Sequence, residues 1–286
     1  MRKSIAKLTS RASDVLTYVL LAVLGILWVL PIGYLVYTAF RVTPATGIIN
    51  QLFPEGLRLG FGNFVRLFRD TMFARWLANT LIVATCSCAL TTLFILMVSY
   101  ALSRLRFRLR KPIMNVLLVL GMFPGFMSMI AVYFILKAMG LTNSLVALVM
   151  VYSGGAALSY YICKGFFDTV PKAMEEAAFL DGASQPVIFW KIILPLAKPI
   201  IVYTILTAFI SPWCDFIFVN TIISDREKYT VSLGLYKMIN AEKNSFNDNF
   251  TVFCAGAFVV GAIIVTLFMS MQKYYVEGIT SGAVKG

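Results

Sequence analysis

The sequence predicts an all-α integral membrane protein with six transmembrane helices, and its composition and its pattern both support this class. Hydrophobic residues make up 59% of the chain and charged residues 13%, whereas about 25% of the residues of a soluble domain are charged. The apolar residues are gathered into six nearly charge-free stretches, at residues 15–40, 76–103, 112–136, 138–163, 199–224 and 249–272. Each stretch reaches the roughly 20 residues that a helix needs to cross a bilayer.

The first predicted span follows a short basic segment that contains Arg2, Lys3, Lys7 and Arg11. Its apolar run is longer than that of a signal peptide, and no convincing cleavage site of small residues follows it. We therefore expect an uncleaved first helix.

The turn between the second and third spans is also basic. Its cations are Arg104, Arg106, Arg108, Arg110 and Lys111. Because cytoplasmic loops carry an excess of Lys and Arg, the basic segments predict that both termini are cytoplasmic. The loop at residues 41–75 carries as many cations as that turn, and its length weakens this contrary signal without removing it.

The third and fourth spans contain small residues that favour close packing of helices. Gly121 and Gly125 have small-x3-small spacing, and Gly154 and Gly155 form a smooth patch. Bending of these helices near Pro124 is the alternative interpretation.

Several classes of function are excluded by residue types. The chain has no histidine, which removes His-Glu-x-x-His zinc sites and Ser-His catalysis. Its cysteines lie in or beside predicted spans and indicate neither a disulfide framework nor a metal site. No Gly-x4-Gly-Lys-[Ser/Thr] motif is present, so this chain is not expected to hold a nucleotide phosphate. The net charge of +12 comes without a basic stripe interleaved with aromatics, so nucleic acid binding is not expected.

The longest polar interruption lies between the fourth and fifth spans and predicts two short helices. Thr169 is placed to cap the first helix and Gly182 to close it. Ser184 and Pro186 repeat these start signals, and Pro195 limits the second helix.

One face of the first short helix has small side chains and charges. At three- and four-residue spacing it contains Met174, Ala177, Ala178 and Asp181. Small residues allow another protein to approach the backbone, and Glu175, Glu176 and Asp181 offer charges to it. A hairpin lying on the lipid surface is the alternative, but such a helix needs a strongly apolar face opposite a basic one.

Asp215 is the only acid deep in a predicted span, which makes it a candidate functional residue. It could bind sugar hydroxyls or a proton, or it could form a structural bond to a neighbouring helix. Aromatic residues such as Tyr152 and Trp213 could stack on sugar faces. The loop at residues 225–248 is polar and mixed in charge, and long ordered loops are often functional.

The polar segment between the fourth and fifth spans resembles a known motif. The spacing Glu-Ala-Ala-x3-Gly-x9-Ile-x-Leu-Pro, from Glu176 to Pro195, resembles the cytoplasmic coupling loop of permease subunits in binding-protein-dependent ABC importers. Met122-Phe123-Pro124, Gly140-Leu141-Thr142-Asn143-Ser144, Gly165-Phe166-Phe167, Trp213-x-Asp215-Phe216 and the tail at residues 278–286 are similar to the carbohydrate permeases of this family, most closely to the MalG-type subunits.

The resemblance implies a type I ABC importer transmembrane domain in a bacterial cell membrane. Residues 1–14 would be a cytoplasmic tail, and 15–75 the first transmembrane helix with an extracytoplasmic loop. Residues 76–272 would form the permease core, and 273–286 a second cytoplasmic tail.

The resemblance also implies an ATP-driven importer of sugars, maltodextrin or a related oligosaccharide. The partners would be a second homologous permease, two copies of a cytoplasmic ATPase and an extracytoplasmic solute-binding protein. The chain itself would be non-catalytic and hold no cofactor, because ATP and Mg²⁺ would bind to the ATPase.

Four groups of site residues follow from the resemblance. The ATPase-coupling residues would be Glu175, Glu176, Ala177, Ala178, Asp181, Gly182, Ile192, Leu194 and Pro195. The tail at the ATPase interface would include Gly278, Thr280, Gly282, Lys285 and Gly286. The loop that contacts the solute-binding protein would contain Asn240, Ala241, Glu242, Lys243 and Asn244. The substrate path would include Asp215, Trp213 and Tyr152.

Two other classes compete with this interpretation. A secondary transporter or channel is expected to show inverted repeats or several intramembrane charges. A membrane enzyme without histidine would need a pair of acids, and Asp215 is alone at its depth.

Overall fold

The computed structural model describes residues 2–42, 58–122, 125–155, 157–241 and 245–283, and these residues are almost entirely helical. Their one isolated β-bridge is antiparallel and joins Arg41 to Leu59. The prediction of an all-α protein is confirmed.

The helices are numbered here in chain order. They are α1 (Arg2–Phe40), α2 (Gly62–Asp70), α3 (Phe73–Arg104), α4 (Arg110–Met122), α5 (Gly125–Ala138), α6 (Leu145–Gly154), α7 (Ala157–Thr169), α8 (Ala173–Leu180), α9 (Gln185–Leu196), α10 (Lys198–Cys214), α11 (Ile217–Ile222), α12 (Val231–Asn240) and α13 (Ser245–Ala283). Helix α9 contains a π-helical turn at Phe189–Ile193, and Arg226–Lys228 form a 3-10 turn.

The described residues contain three helical segments that are long and apolar enough to cross a membrane, Asp14–Phe40, Phe73–Arg104 and Asn249–Lys273. Three bent helix pairs, α4 with α5, α6 with α7 and α9 with α10, pass the same test, so the count reaches six if each pair is one span. Six is the predicted number.

The helices of the fourth and fifth predicted spans have different ends from those that the sequence suggested. The fourth begins only at Leu145, because Gly140 and Asn143 adopt positive φ angles of 67° and 58° in the turn before it. The fifth stops at Cys214, because Asp215 is extended and its side chain accepts a hydrogen bond from the Phe218 backbone N–H, 3.0 Å away. Asp215 thus starts α11 instead of lying within one long helix.

The helices form two compact units. The first contains the described residues before Met72 and those from Met238 to Val259, and the second contains those from Met72 to Lys237 and from Val260 onward. In the first unit, Asn63 donates from its amide to the carbonyls of Ala39 and Arg41, at 3.0 and 2.7 Å. These bonds hold α2 against the end of α1.

Helix α3 is central to the second unit and packs against α6, α7 and α10. Its buried residues recur at three- and four-residue spacing and include small polar ones such as Ser87 and Thr91. One hydrophobic cluster surrounds Val83, Leu148 and Leu233, and a second surrounds Tyr100, Phe167 and Ile193. The second cluster lies where the polar segment at residues 169–195 joins the bundle.

The start of α3 is tied to the chain that leads into α12. Trp76 donates from its indole N–H to the Arg226 carbonyl at 3.1 Å, and Asn79 donates to the Glu227 and Tyr229 carbonyls at 2.8 and 2.9 Å. The Trp76 ring also packs directly on Gly234, where an added Cβ would come within 2.2 Å of ring atoms. Only glycine fits at this contact.

Candidate functional site

The coupling segment is the polar segment at residues 169–195, and it folds into the two short helices that the sequence predicts, α8 and α9. Gly182 closes α8 with a φ of +82°. The Gly182 N–H donates to the Phe179 carbonyl and the Ala183 N–H to the Ala178 carbonyl, each at 3.0 Å. This pair of bonds is a Schellman motif, which requires a left-handed residue at the position of Gly182.

The predicted role of Thr169 as the cap of this helix is wrong. Helix α7 continues to Thr169, whose hydroxyl donates to the Phe166 carbonyl at 2.7 Å. Helix α8 begins at Ala173, after Pro171 and Lys172. The hydroxyl therefore bonds back to its own helix, which is a common alternative to capping for Ser and Thr.

Three predicted coupling residues lie against the protein's own core. Ala178 is buried in the cluster around Phe167 and Ile193, and Ile192 and Leu194 pack against that cluster. The predicted face of Met174, Ala177, Ala178 and Asp181 is therefore divided, because Ala178 faces inward while the other three are exposed. Ile192, Leu194 and Ala178 fix the coupling segment to the bundle.

Glu175 also forms a contact within its own chain, an ion pair. Its carboxylate lies 2.7 Å from the Arg104 Nε, and the two side chains are only 15% and 4% exposed. Arg104 Nη2 donates to the Phe167 and Val170 carbonyls, at 2.8 and 2.7 Å. Burial raises the pKa of the Glu175 carboxyl, and the charge of Arg104 opposes that rise. Arg104 therefore joins the end of α3 to the end of α7 and to α8.

Further polar contacts surround this ion pair. Ser103 donates to Asp168 at 2.6 Å, and Asp168 also pairs with Lys164. Tyr100 donates to the Gln185 side-chain oxygen at 3.2 Å, which ties α3 to α9. Sequence reasoning assigned Arg104 only to a basic turn, because the carbonyls and the acid that it contacts are more than 60 residues away in the sequence.

The outer side of α8 is acidic and apolar. Phe179 and Leu180 are 64% and 86% exposed, and Glu176 and Asp181 are exposed beside them. Next to them is a cavity of about 460 Å³, lined by Glu175, Glu176, Phe179, Leu180, Gln185 and Ile188. Sequence reasoning missed Phe179 and Leu180, although two large apolar residues in a polar segment could have identified them.

The second half of α9 leads to a sharp bend, after which the chain continues as α10. Pro195 is exposed within the last turn, and α10 leaves α9 at an angle of 84°. Ala197, at the bend, is fully buried. The second helix of the coupling segment is therefore nearly perpendicular to α10 and does not continue along its axis.

Asp215 and Tyr152 line a cavity of about 450 Å³ in the second unit. The other lining residues are Gly125, Ser128, Met129, Val132, Val151, Gly155, Ser211, Ile217 and Phe218. Tyr152 donates from its hydroxyl to Asp215 Oδ2 at 3.0 Å, while Oδ1 accepts from the Phe218 N–H. Asp215 thus has both a structural bond to α6 and a position at a cavity.

Trp213 does not line this cavity. It is 3% exposed, and its ring lies 5.8 Å from that of Phe209. The structure therefore brings together Asp215 and Tyr152 but not the third predicted residue of the substrate path.

The remaining predicted sites are described only in part. Asn240 ends α12 and Ala241 is exposed after it, whereas Glu242, Lys243 and Asn244 lie outside the described residues. The backbone of α13 stays helical past Gly278, Thr280 and Gly282, whereas Lys285 and Gly286 lie outside the described residues. Among the described residues, no group of three or more acids and cysteines could hold a metal ion.

Curated relatives of the chain are sugar permeases. It is 34% identical over 281 residues to the maltodextrin transport system permease protein MalD of Streptococcus pneumoniae, covering 98% of each chain. It is 32% identical to the maltodextrin permease MdxG of Bacillus subtilis over the full length of both chains. It is 31% identical to the galactooligosaccharide permease GanQ of Bacillus subtilis, covering 94% of this chain and 95% of GanQ.

A solved structure has the same fold. A chain of a bacterial ABC transporter involved in the import of the acidic polysaccharide alginate matches with a TM-score of 0.78 and 22% identity, covering 93% of this chain and 98% of that one. The type I permease fold predicted from the sequence is confirmed.

The family assignment rests on residues 92–279 and excludes the two competing classes. The sequence model of one family matches residues 92–279, which include the coupling segment and Asp215. Subunits of this family are non-catalytic permeases, so the interpretations of the chain as a secondary transporter and as a membrane enzyme are both excluded. The chain belongs to the family of binding-protein-dependent transport system inner membrane components.

Proposed function

We propose that the protein is the MalG-like half of an ATP-driven importer that carries maltodextrin or a related oligosaccharide across a bacterial cell membrane. The observation that carries this proposal is the coupling segment, which is fixed to the bundle by Arg104 and Ala178 and leaves Phe179 and Leu180 exposed. The names of relatives that are similar over the whole chain support the sugar class.

The exposed side of α8 is proposed to bind a separate ATPase. Apolar side chains such as Phe179 and Leu180 give the buried centre that a stable contact needs, and Glu176 and Asp181 give a charged rim. Two copies of the ATPase would bind ATP and Mg²⁺, one copy against this chain and one against the second permease. The tail beyond Gly278 is proposed to reach the same ATPase. Both termini would then be cytoplasmic.

The cavity beside Asp215 is proposed to lie on the sugar path. A carboxylate has about four acceptor positions, and the Tyr152 hydroxyl and the Phe218 N–H occupy two of them. The remaining positions can accept sugar hydroxyls. The volume of the cavity, about 450 Å³, is within the usual range for small-molecule sites, about 300–1,000 Å³.

The solute-binding protein is proposed to contact the opposite side of the membrane at Asn240, Ala241, Glu242, Lys243 and Asn244. The polar, mixed-charge sequence of this loop suits a wet and transient contact. The bound sugar would pass from there towards Asp215.

Uptake of a panel of sugars tests the substrate class. The chain would be expressed with the partners encoded beside it, and uptake of radiolabelled maltotriose, galactotriose and a charged uronate trisaccharide would be compared. We expect maltotriose to be imported and the uronate to be rejected, since Asp215 repels anions. Import of the uronate alone would contradict the proposed substrate.

A further inference from the structure

Residues 105–111, which are the loop between α3 and α4 and the first two residues of α4, are not used by the proposed mechanism, yet their composition is distinctive. Cationic and apolar residues alternate among them, with Arg106, Arg108, Arg110 and Lys111 between or beside Leu105, Phe107 and Leu109. All of these side chains except Arg110 are exposed. We refer to residues 105–111 as the basic loop.

The charges of the basic loop are not neutralised within the described chain. Arg104, directly before it, pairs with Glu175, but none of the ion pairs among the described residues includes Arg106, Arg108 or Lys111. Arg110 donates to the Ser103 carbonyl at 3.2 Å and faces Asp168. Three exposed cations are therefore available to an external anion.

The length of the basic loop keeps it close to the membrane surface. Helix α3 ends at Arg104 and α4 begins at Arg110, so the five residues between them can rise only about 10 Å from the helix ends. The Arg110 N–H donates to the Phe107 carbonyl at 3.2 Å, which shortens this reach further. The polar headgroup layer on each side of a bilayer is about 5–8 Å thick, so with the end of α3 at the edge of the hydrocarbon core these side chains would be within reach of the headgroups.

We propose that the basic loop binds the headgroups of anionic phospholipids in the leaflet on the side of the coupling segment. Arg104 contacts Glu175, which places the loop on that side. Exposed Leu105, Phe107 and Leu109 can enter the boundary of the acyl chains, while the longer arginine side chains extend to the phosphates. A juxtamembrane cluster of this kind is attracted to an anionic leaflet. This inference rests on the proposed function only for naming that leaflet cytoplasmic.

The test uses the full chain assembled with its partner subunits in nanodiscs that contain phosphatidylglycerol and phosphatidylcholine. Spin-labelled lipids of each type report how much lipid is immobilised on the protein. We compare the wild type with Arg106→Gln/Arg108→Gln/Lys111→Gln. The matched control, Arg58→Gln/Arg66→Gln/Arg69→Gln, removes the same charge from exposed residues of the predicted extracytoplasmic loop.

We expect the basic-loop variant to lose its preference for phosphatidylglycerol, by about fivefold for each cation removed, while the control keeps it. High salt should reduce the preference of the wild type, and inorganic phosphate at equal ionic strength should reduce it no further. Stronger competition by phosphate would assign the site to a free anion and overturn the proposal. An unchanged lipid preference in the basic-loop variant would also overturn it.

Co-purification of the ATPase separates this proposal from the proposed function. We expect the basic-loop variant to retain the ATPase, because its coupling segment is intact. Loss of the ATPase with an unchanged lipid preference would make the loop a protein contact and overturn the lipid assignment, without contradicting the importer.

Discussion

At the scale of single residues, Arg104 links the end of α3 to α7 and α8. Its guanidinium pairs with Glu175 and donates to the carbonyls of Phe167 and Val170. A planar guanidinium can serve three acceptors in fixed directions, which the single charge of lysine cannot do in the same geometry. Arg104 is thus placed to transmit movement of α8 to α3 and α7.

We expect Arg104→Gln to insert normally but to lose ATPase co-purification and sugar uptake. The change leaves a largely buried acid unpaired, and breaking such a pair costs about 3–5 kcal/mol. Glu175→Gln should be milder, because Arg104 keeps both carbonyls and the amide can still accept from it. Pull-down and uptake at matched expression measure both effects. Equal losses in the two variants would remove the special role of Arg104, and Arg66→Gln, at an exposed site of α2, serves as the control.

Gly182 gives a second prediction at this scale. Its φ of +82° strains other residues, whereas an added Cβ would meet no atom within 4 Å. We therefore expect Gly182→Ala to weaken ATPase association with a cost of about 1–2 kcal/mol, and Gly182→Asn to retain most of it, since Asn tolerates the left-handed region. Titration of the ATPase onto permease in nanodiscs measures the difference. Equal weakening by Ala and Asn would indicate that the ATPase needs the space that is left by the absent side chain of Gly182, and that the backbone angle is not the cause.

At the scale of elements, α8 has an inner side that packs against its own protein and an outer side that is exposed. Ala178 and Glu175 face the bundle, and Phe179 and Leu180 are exposed. The sequence motif does not distinguish the two sides, because each side contains an alanine and an acid. The structure therefore separates residues that position the helix from residues that are available to a partner.

We expect Phe179→Ser/Leu180→Ser to abolish ATPase association while the permease remains folded. Burying two such side chains at an interface contributes about 1.5–3 kcal/mol each, and their loss leaves the inner contacts of α8 unchanged. Val65→Ser, at an exposed site of α2, is the matched control. Surface plasmon resonance on captured permease gives the affinities. Wild-type affinity in the double variant would exclude this side of α8 as the contact.

Gly234 of α12 gives a prediction about packing between elements. We expect Gly234→Ala to lower the thermal stability of the detergent-purified complex, because its Cβ would lie 2.2 Å from the Trp76 ring and overpacking costs about 1–3 kcal/mol. Gly261→Ala, where the Cβ would meet nothing within 4 Å, should leave stability unchanged. Trp76→Leu combined with Gly234→Ala should recover part of the loss. A stable Gly234→Ala protein would show that the ring moves away at little cost.

The sequence predicted the presence of the helices better than the residues at which they begin and end. The polar segment with Gly182 and Ser184 indicated two short helices, because left-handed closure and helix starts depend on local residues. Thr169 and Asp215 were interpreted less well. Each could bond within its own helix or outside it, and only tertiary packing, such as the Tyr152 hydroxyl on Asp215, decides between these choices. The contacts of Arg104 were not predictable, since nothing local in the sequence links it to Glu175.

At the scale of the whole molecule, the chain combines helices that expose apolar side chains with a polar segment, residues 169–195, that is attached to the second unit. Apolar side chains are exposed along α1, α4 and α13, as lipid contact requires. The attachment of α8 through Arg104 and Ala178 means that force applied to the coupling segment reaches α3 and α7. Our central claim is that ATP hydrolysis by a partner drives transport through this connection.

The most direct measurement of that claim is sugar uptake into proteoliposomes that contain the complete importer, with ATP and Mg²⁺ supplied on the ATPase side and no ion gradient. We predict that uptake requires both ATP and the sugar-loaded binding protein, is unaffected by a protonophore, and is absent when the permease carries Arg104→Gln. Uptake that proceeds without ATP when a proton gradient is imposed, and collapses with the protonophore, would contradict it.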